Sequence, residues 1–169
     1  MTAEPPLDRR AARTRGLLLD ALRTLMLERG FERLTTQNII DRAGVGRATF
    51  YAHFENKEAL LAASIGRLRE WLEAMRGRYS GQPFAFMPPF FDHIVSHRAL
   101  YRTTFERESE VTVERLIRAM MLDLVRAELV ANRTGEQNDS SIELATQFVV
   151  GTFWSVIVWW MGEIGRAHV

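Results

Sequence analysis

Hydrogen-bonding side chains between residues 35 and 57 carry the most specific chemistry of this sequence. Arg47 can donate two hydrogen bonds to a guanine edge, and Thr49 can bond a base or touch a thymine methyl. Tyr51 and His53 follow at close spacing and can reach bases or phosphates. These residue types, so close together, indicate readout of double-stranded DNA.

Two short helices joined by a glycine turn are predicted to position these side chains. A hydroxyl at Thr35-Thr36 can cap the first helix, because capping residues accept the N–H bonds that a first turn leaves open. Gly44 then supplies a break in which positive φ costs little. A second helix, residues 47–54, follows, with the spacing that lets a recognition helix enter a major groove. Lys57 and Thr36, each at a helix start, are natural phosphate contacts.

The rest of the chain has helical periodicity. Apolar residues at helical spacing predict helices over residues 8–29, 57–75 and about 113–132, and Gly30 is the stop signal of the first. The aromatic stretch 71–105 is interrupted by glycine and proline, so its helices must be short. No strand-type alternation persists. The predicted fold class is therefore all-α.

Composition limits the classes of function. The 169 residues are 47% hydrophobic and 25% charged, as in ordinary soluble globular proteins, and they include no cysteine. No G-x-S-x-G or phosphate-cradling glycine loop is present, so we expect no enzyme, no catalytic residue and no cofactor. His93 and His97 could share a helix face as metal ligands, but spacing fixes no third ligand, and we expect no metal site.

An uncharged stretch, Leu144–Gly162, is long enough to span a bilayer. Polar interruptions such as Thr146 and Ser155, and the lack of a basic flank, favour a buried helix and no membrane. Met1–Leu7 has no apolar run, so we expect no signal peptide and a cytoplasmic protein.

The last seven residues, 163–169, do not continue the apolar pattern. Back-translated as GAG ATC GGA AGA GCA CAC GTC, they resemble a common sequencing adapter. We therefore expect this tail to be an artefact, and the natural protein to continue beyond about Met161.

Several motifs between about Arg13 and Leu61 occur together: Gly30-Phe31, Leu34-Thr35-Thr36, Ala43-Gly44-Val45, and Thr-Phe-Tyr-x-His-Phe-x-Asn-Lys-x-x-Leu-Leu from Thr49. On these motifs the sequence resembles the TetR family of bacterial transcriptional regulators. The resemblance implies a three-helix helix-turn-helix DNA-binding domain over residues 1–58 and a helical effector-binding and dimerisation domain over 59–169. The DNA-binding residues it implies are Thr35, Thr36, Gln37, Arg47, Ala48, Thr49, Tyr51, His53 and Lys57.

The resemblance also implies a mechanism, that of a ligand-released repressor. A homodimer formed through the last two helices would bind a palindromic operator, since one short helix reads too few bases. The effector is expected to be a small lipophilic or aromatic compound. The expected ligand-binding residues, which could instead form a plain aromatic core, are Phe86, Phe90, Phe91, Tyr101, Phe105 and Trp154. The alternative function is a helical membrane-associated or protein-interaction module without specific DNA binding.

Overall fold

The computed structural model describes residues 6–75, 82–105, 111–133 and 138–166. Within these ranges every regular element is a helix, which confirms the all-α prediction. The helices are α1 (Pro6–Arg29), α2 (Thr36–Ala43), α3 (Arg47–Tyr51), α4 (Lys57–Met75), α5 (Met87–Ser96), α6 (Arg98–Phe105), α7 (Val111–Ala131) and α8 (Asp139–Arg166).

The chain divides into two compact units, Met1–Ile65 and Gly66–Val169, and the division falls within α4. In the first unit α1 packs on α2, and α2 on α3. Each of these helices, and the start of α4, contributes fully buried side chains to one apolar core. Its largest members are Leu18, Leu22, Leu25, Phe31, Ile39, Phe50 and Leu60.

Helix ends in the first unit follow local signals in the sequence. Gly30 has φ 77°, a left-handed conformation that glycine adopts without the cost of a Cβ, and α1 ends immediately before it. At the start of α4 the backbone N–H of Ala59 donates to Asn56 Oδ1 over 2.8 Å. Asn56 is therefore the N-cap of α4.

The second unit contains α5 to α8, in which α7 packs along α8 and α6 contacts both. The aromatic stretch forms two short helices, as its prolines and glycines predict. Pro88 and Pro89 do not separate helices, because they occupy the first turn of α5. Proline has no N–H to donate there, and none is needed in a first turn.

Helix α8 differs from the expected buried helix in two respects. It continues to Arg166, beyond the end of the uncharged stretch at Gly162, because each added residue needs only its own backbone hydrogen bond and no apolar side chain. It is also buried on one face only: Val150 and Ile157 are inaccessible, whereas Phe148 is 73% exposed. By length and composition alone, α8 is the helix of the described chain that could cross a membrane.

Candidate nucleic-acid interface

The first helix of the predicted DNA-reading pair begins with a reciprocal cap. Thr35 has extended backbone geometry, and its Oγ1 accepts a hydrogen bond from the Asn38 backbone N–H over 3.2 Å. In return, the Thr35 backbone N–H donates to Asn38 Oδ1 over 3.0 Å. Thr35 is therefore the capping hydroxyl, and the half-buried Thr36 is the first helical residue. The Thr35 cap fixes where α2 starts.

The turn between the two helices depends on Gly44. Its φ of 64° and ψ of 33° are left-handed, and its N–H donates to Asp41 O over 3.3 Å. The next residue, Val45, donates to Ile40 O over 3.3 Å. These bonds satisfy carbonyls that the end of α2 leaves open. The positive φ expected at Gly44 is confirmed.

Helix α3 is shorter than the predicted 47–54, since it ends at Tyr51 with Ala52 as its C-cap. Gly46, its N-cap, has no side chain with which to bond the first turn. What holds α3 is Phe50, whose side chain is fully buried and whose ring lies 6.1 Å from that of Phe54. Packing rather than capping therefore orients this helix.

The side chains predicted to face DNA lie on the outer side of α3. Arg47, Ala48, Thr49 and Tyr51 are exposed, and His53 is half-buried in the turn that follows. The Arg47 guanidinium lies 5.7 Å from the centre of the Tyr51 ring, so these two residues share one face. Their contact with DNA stays a prediction, but their accessibility is compatible with it.

Gln37 has a partner within its own helix. Its Nε2 donates to Asp41 Oδ1 over 2.7 Å, and both side chains are exposed. A Gln-Asp pair one helical turn apart is a common stabilising contact. Gln37 would exchange this bond for one to DNA.

An ion pair that the sequence analysis missed joins α1 to α2. The pair is bidentate: Arg42 Nη1 donates to Glu28 Oε1 and Arg42 Nη2 to Glu28 Oε2, each over 2.8 Å. The hydrogen bond from Arg42 lowers the pKa of the Glu28 carboxyl below its usual 4.5. No local signal could reveal this pair, because the partners are 14 positions apart on different helices.

A second contact that the sequence analysis missed joins Arg15 of α1 to Phe54, a core residue in the turn after α3. The Arg15 guanidinium lies over the ring of Phe54, 4.8 Å from its centre. An arginine in this position covers the aromatic edge of the core while its charge stays in water. Arg15 is therefore partly committed to packing against Phe54.

Lys57, the predicted phosphate contact at the start of α4, is directed towards the protein. Its Nζ donates to the backbone oxygens of Phe31 over 3.1 Å and Glu32 over 3.3 Å. It also lies 4.5 Å from the centre of the Phe31 ring, and its side chain is only 16% exposed. A phosphate contact stays a prediction, and it could use only the one ammonium hydrogen that is not donated to these two oxygens.

Three of the predicted ligand-binding aromatics, Phe90, Tyr101 and the half-buried Phe91, belong to a ring cluster that also includes Phe153. Phe90 is fully buried, with its ring 6.2 Å from Tyr101 and 5.9 Å from Phe153. The Phe91 ring lies 5.0 Å from Phe153. Phe86 and Trp154 are also buried, and the side chain of Phe105 lies outside the described residues.

A histidine pair borders this cluster. The rings of His93 and His97 are stacked 4.2 Å apart, and His93 also contacts Trp71 and Tyr101. Burial, with a smaller effect of His97, lowers the pKa of His93 from 6.5 to about 4, and burial raises the pKa of Tyr101. Among the residues with described positions, no group of three or more His, Asp or Glu could hold a metal ion.

Comparison with known proteins supports the resemblance to the TetR family that the sequence motifs indicate. Residues 18–64 match the family described as bacterial regulatory proteins, tetR family. The chain is 28% identical over 176 residues to the HTH-type transcriptional repressor KstR2 of Rhodococcus jostii, with 92% of this chain and 85% of the relative covered. It is 23% identical over 167 residues to KstR2 of Mycolicibacterium smegmatis, with 88% and 80% covered.

A solved structure has the same fold. The TetR transcriptional regulator from Streptococcus agalactiae superimposes with a TM-score of 0.66 and 22% identity, over 91% of this chain and 85% of that one. The matched length includes both units of the chain. The family match, in contrast, lies in the segment that contains α2 and α3.

Proposed function

The chain belongs to the TetR family of transcriptional regulators, and on that premise we propose that it is a ligand-released repressor that binds a palindromic operator as a homodimer. That it is a DNA-binding regulator follows from its relatives. The single observation that best supports the proposed reading site is the division of α3 into two faces. Phe50 anchors the helix in the core, while Arg47, Thr49 and Tyr51 are exposed on its other side.

We assign the groups that contact DNA by their chemistry and position. Arg47 and Thr49 read base edges, and Tyr51 and His53 contact bases or phosphates. The Thr35 hydroxyl already accepts from the α2 backbone, so its hydrogen is available to a phosphate oxygen. Thr36, Gln37 and Ala48 complete the surface.

The proposed dimer uses the open face of α8. Leu144, Phe148 and Trp159 are 74%, 73% and 63% exposed, which is unusual for large apolar side chains on one helix. A second copy would cover them, and the two recognition helices could then read two half-sites. Sedimentation in the absence of detergent tests this: a dimer is expected, and a chain that partitions only into lipid vesicles would favour the membrane-associated alternative instead.

The proposed effector is a small lipophilic or aromatic compound. The buried aromatic cluster around Phe90 and Tyr101 supports this chemistry, because ligand sites in proteins are mostly apolar with few polar anchors. Release from DNA requires that the effector bind one conformation of the dimer more tightly than the other. The protein would act in the cytoplasm.

A selection of bound duplexes from a random pool, at stated salt, tests DNA recognition. We expect one palindromic motif to emerge, and Arg47→Ala should weaken binding to it by about 1–3 kcal/mol while relaxing preference at one base position. Arg33→Ala, an exposed arginine outside α3, is the matched control and should leave base preference unchanged. If the chain instead bound every duplex equally weakly, and this binding were lost at moderate salt, the proposal would be refuted.

A further inference from the structure

Lys57 is the only lysine of the chain, and it joins two distant parts of the first unit. It is the first residue of α4, whereas its two acceptors, Phe31 and Glu32, lie just after the end of α1. The intervals along the chain are 26 and 25 residues. Between them lie α2, the Gly44 turn and α3. The ammonium group therefore connects the two ends of the helix-turn-helix segment.

From this arrangement we propose that Lys57 is a positioning residue, which closes the helix-turn-helix segment at its ends and so fixes the orientation in which α3 meets DNA. The proposal rests on the DNA-binding function proposed above. It replaces the phosphate contact expected from the sequence with an internal role at the same residue.

The surroundings of the ammonium group suit a cation that stays in place. The carbonyls that follow α1 lie near the negative end of its helix dipole, and the face of the Phe31 ring is electron-rich. An ammonium group has three hydrogens, of which two are donated to Phe31 O and Glu32 O. Glu58 Oε1, 3.9 Å from Nζ, adds a negative charge nearby. Moving Nζ to a phosphate would leave these groups without their cation.

Closing the segment should affect specific binding more than general attraction. A link between the ends of a chain segment reduces the conformations available to it, and a preorganised surface loses less entropy when it binds. Reading base edges requires α3 in one orientation. Attraction to the phosphate backbone does not, because it depends on the number of charges near the duplex.

The test compares Lys57→Met with the wild-type chain. Methionine keeps an unbranched side chain over Phe31 but removes the charge and all three donors. Affinity is measured against salt for two duplexes: the one preferred by the wild-type chain in the random-pool selection, and a shuffled duplex of equal composition. Arg33→Met is the matched control, because it removes an exposed charge from the turn between α1 and α2 that also contains Phe31 and Glu32.

We expect Lys57→Met to lower the preference for the selected duplex by about tenfold, because the loss of a hydrogen bond to a charged group changes an equilibrium constant by about that factor. Binding to the shuffled duplex and the slope of log affinity against log salt should not change. Arg33→Met should keep the full preference. A slope less steep by about 0.9, with the preference unchanged, would show that Lys57 neutralises a phosphate and would overturn the proposal.

Isotope labelling of lysine gives a second measurement that needs no variant, because the chain has a single lysine. Its ammonium signal in NMR should show hydrogens that exchange slowly with water, both before and after the selected duplex is added. Fast exchange in the free protein would contradict the proposal even if Lys57→Met failed to fold.

The two proposals can fail separately. If the wild-type chain does not prefer any duplex, the proposed function is wrong whatever the lysine signal shows. If the wild-type chain does prefer one, and Lys57→Met keeps that preference in full, only the positioning role is wrong.

Discussion

Replacing Gly44 with alanine tests how much the turn between α2 and α3 depends on a left-handed residue. A Cβ built on Gly44 meets no other atom within 4 Å, so the substitution creates no clash with the surrounding structure. Its cost is confined to the backbone, since φ is 64°. A left-handed conformation costs a residue with a Cβ roughly 1–2 kcal/mol. We expect Gly44→Ala to destabilise the helix-turn-helix segment by about that amount.

Gly46 provides a control two positions away. Its φ of −72° is available to any residue, and a Cβ there would lie 3.5 Å from Thr49 Oγ1, an ordinary contact. Gly46→Ala should therefore change stability by no more than about 0.5 kcal/mol, as is usual for exposed positions without special geometry. The two variants add the same methyl group to the same turn, so their difference isolates the backbone term at Gly44.

Hydrogen exchange followed by mass spectrometry measures this difference where it arises. A loss of 1–2 kcal/mol should speed exchange in peptides that cover residues 36–54 by about 5- to 30-fold, since each 1.4 kcal/mol is a factor of ten. Peptides from α7 and α8 serve as an internal reference. Equal exchange in Gly44→Ala and Gly46→Ala would refute the reasoning, because it would mean that the left-handed geometry carries no cost.

Three further predictions concern caps and titrating groups. Thr35→Ala removes the hydroxyl that accepts from the Asn38 backbone N–H but keeps the backbone N–H that donates to Asn38 Oδ1, and it should cost about 1 kcal/mol of stability in denaturant unfolding. The pKa of His93 is lowered to about 4, so between pH 6.5 and 4 the unfolded chain binds a proton at this histidine that the folded chain does not. The free energy of unfolding should therefore decline as pH falls from 6.5 to 4, and His93→Phe should remove that decline. Because Arg42 lowers the pKa of Glu28, their ion pair stabilises the fold above pH 4.5 and is lost as pH falls through the lowered value; the difference between wild type and Arg42→Met should disappear in acid, and a constant difference would contradict the ion-pair role.

Local signals in the sequence were sufficient for much of the first unit. The end of α1 at Gly30, the left-handed Gly44 and the N-cap Asn56 all follow from the short-range preferences of single residues. Phe50 and Phe54 lie four positions apart, the spacing of one helix face, and both are buried. Such features depend on a few neighbouring bonds, so they can be read without knowledge of the fold.

The contacts of charged side chains, in contrast, could not be predicted from local signals. Glu28 with Arg42, Arg15 with Phe54 and Lys57 with Phe31 each join residues that are far apart in the sequence. A long charged side chain has many conformations of similar energy in an open chain. Which one it adopts depends on acceptors and rings that only the packed helices bring near.

The sequence by itself therefore determined an all-helical chain with a helix-turn-helix pair, and which residue types lie on the outside of α3. Tertiary structure alone decided that the ammonium group of Lys57 is directed inward and that one face of α8 stays open. The physical reason is the range of the forces involved: helix caps and glycine turns are settled within a few residues, whereas the partners of a charge or an apolar face are settled by packing between distant helices.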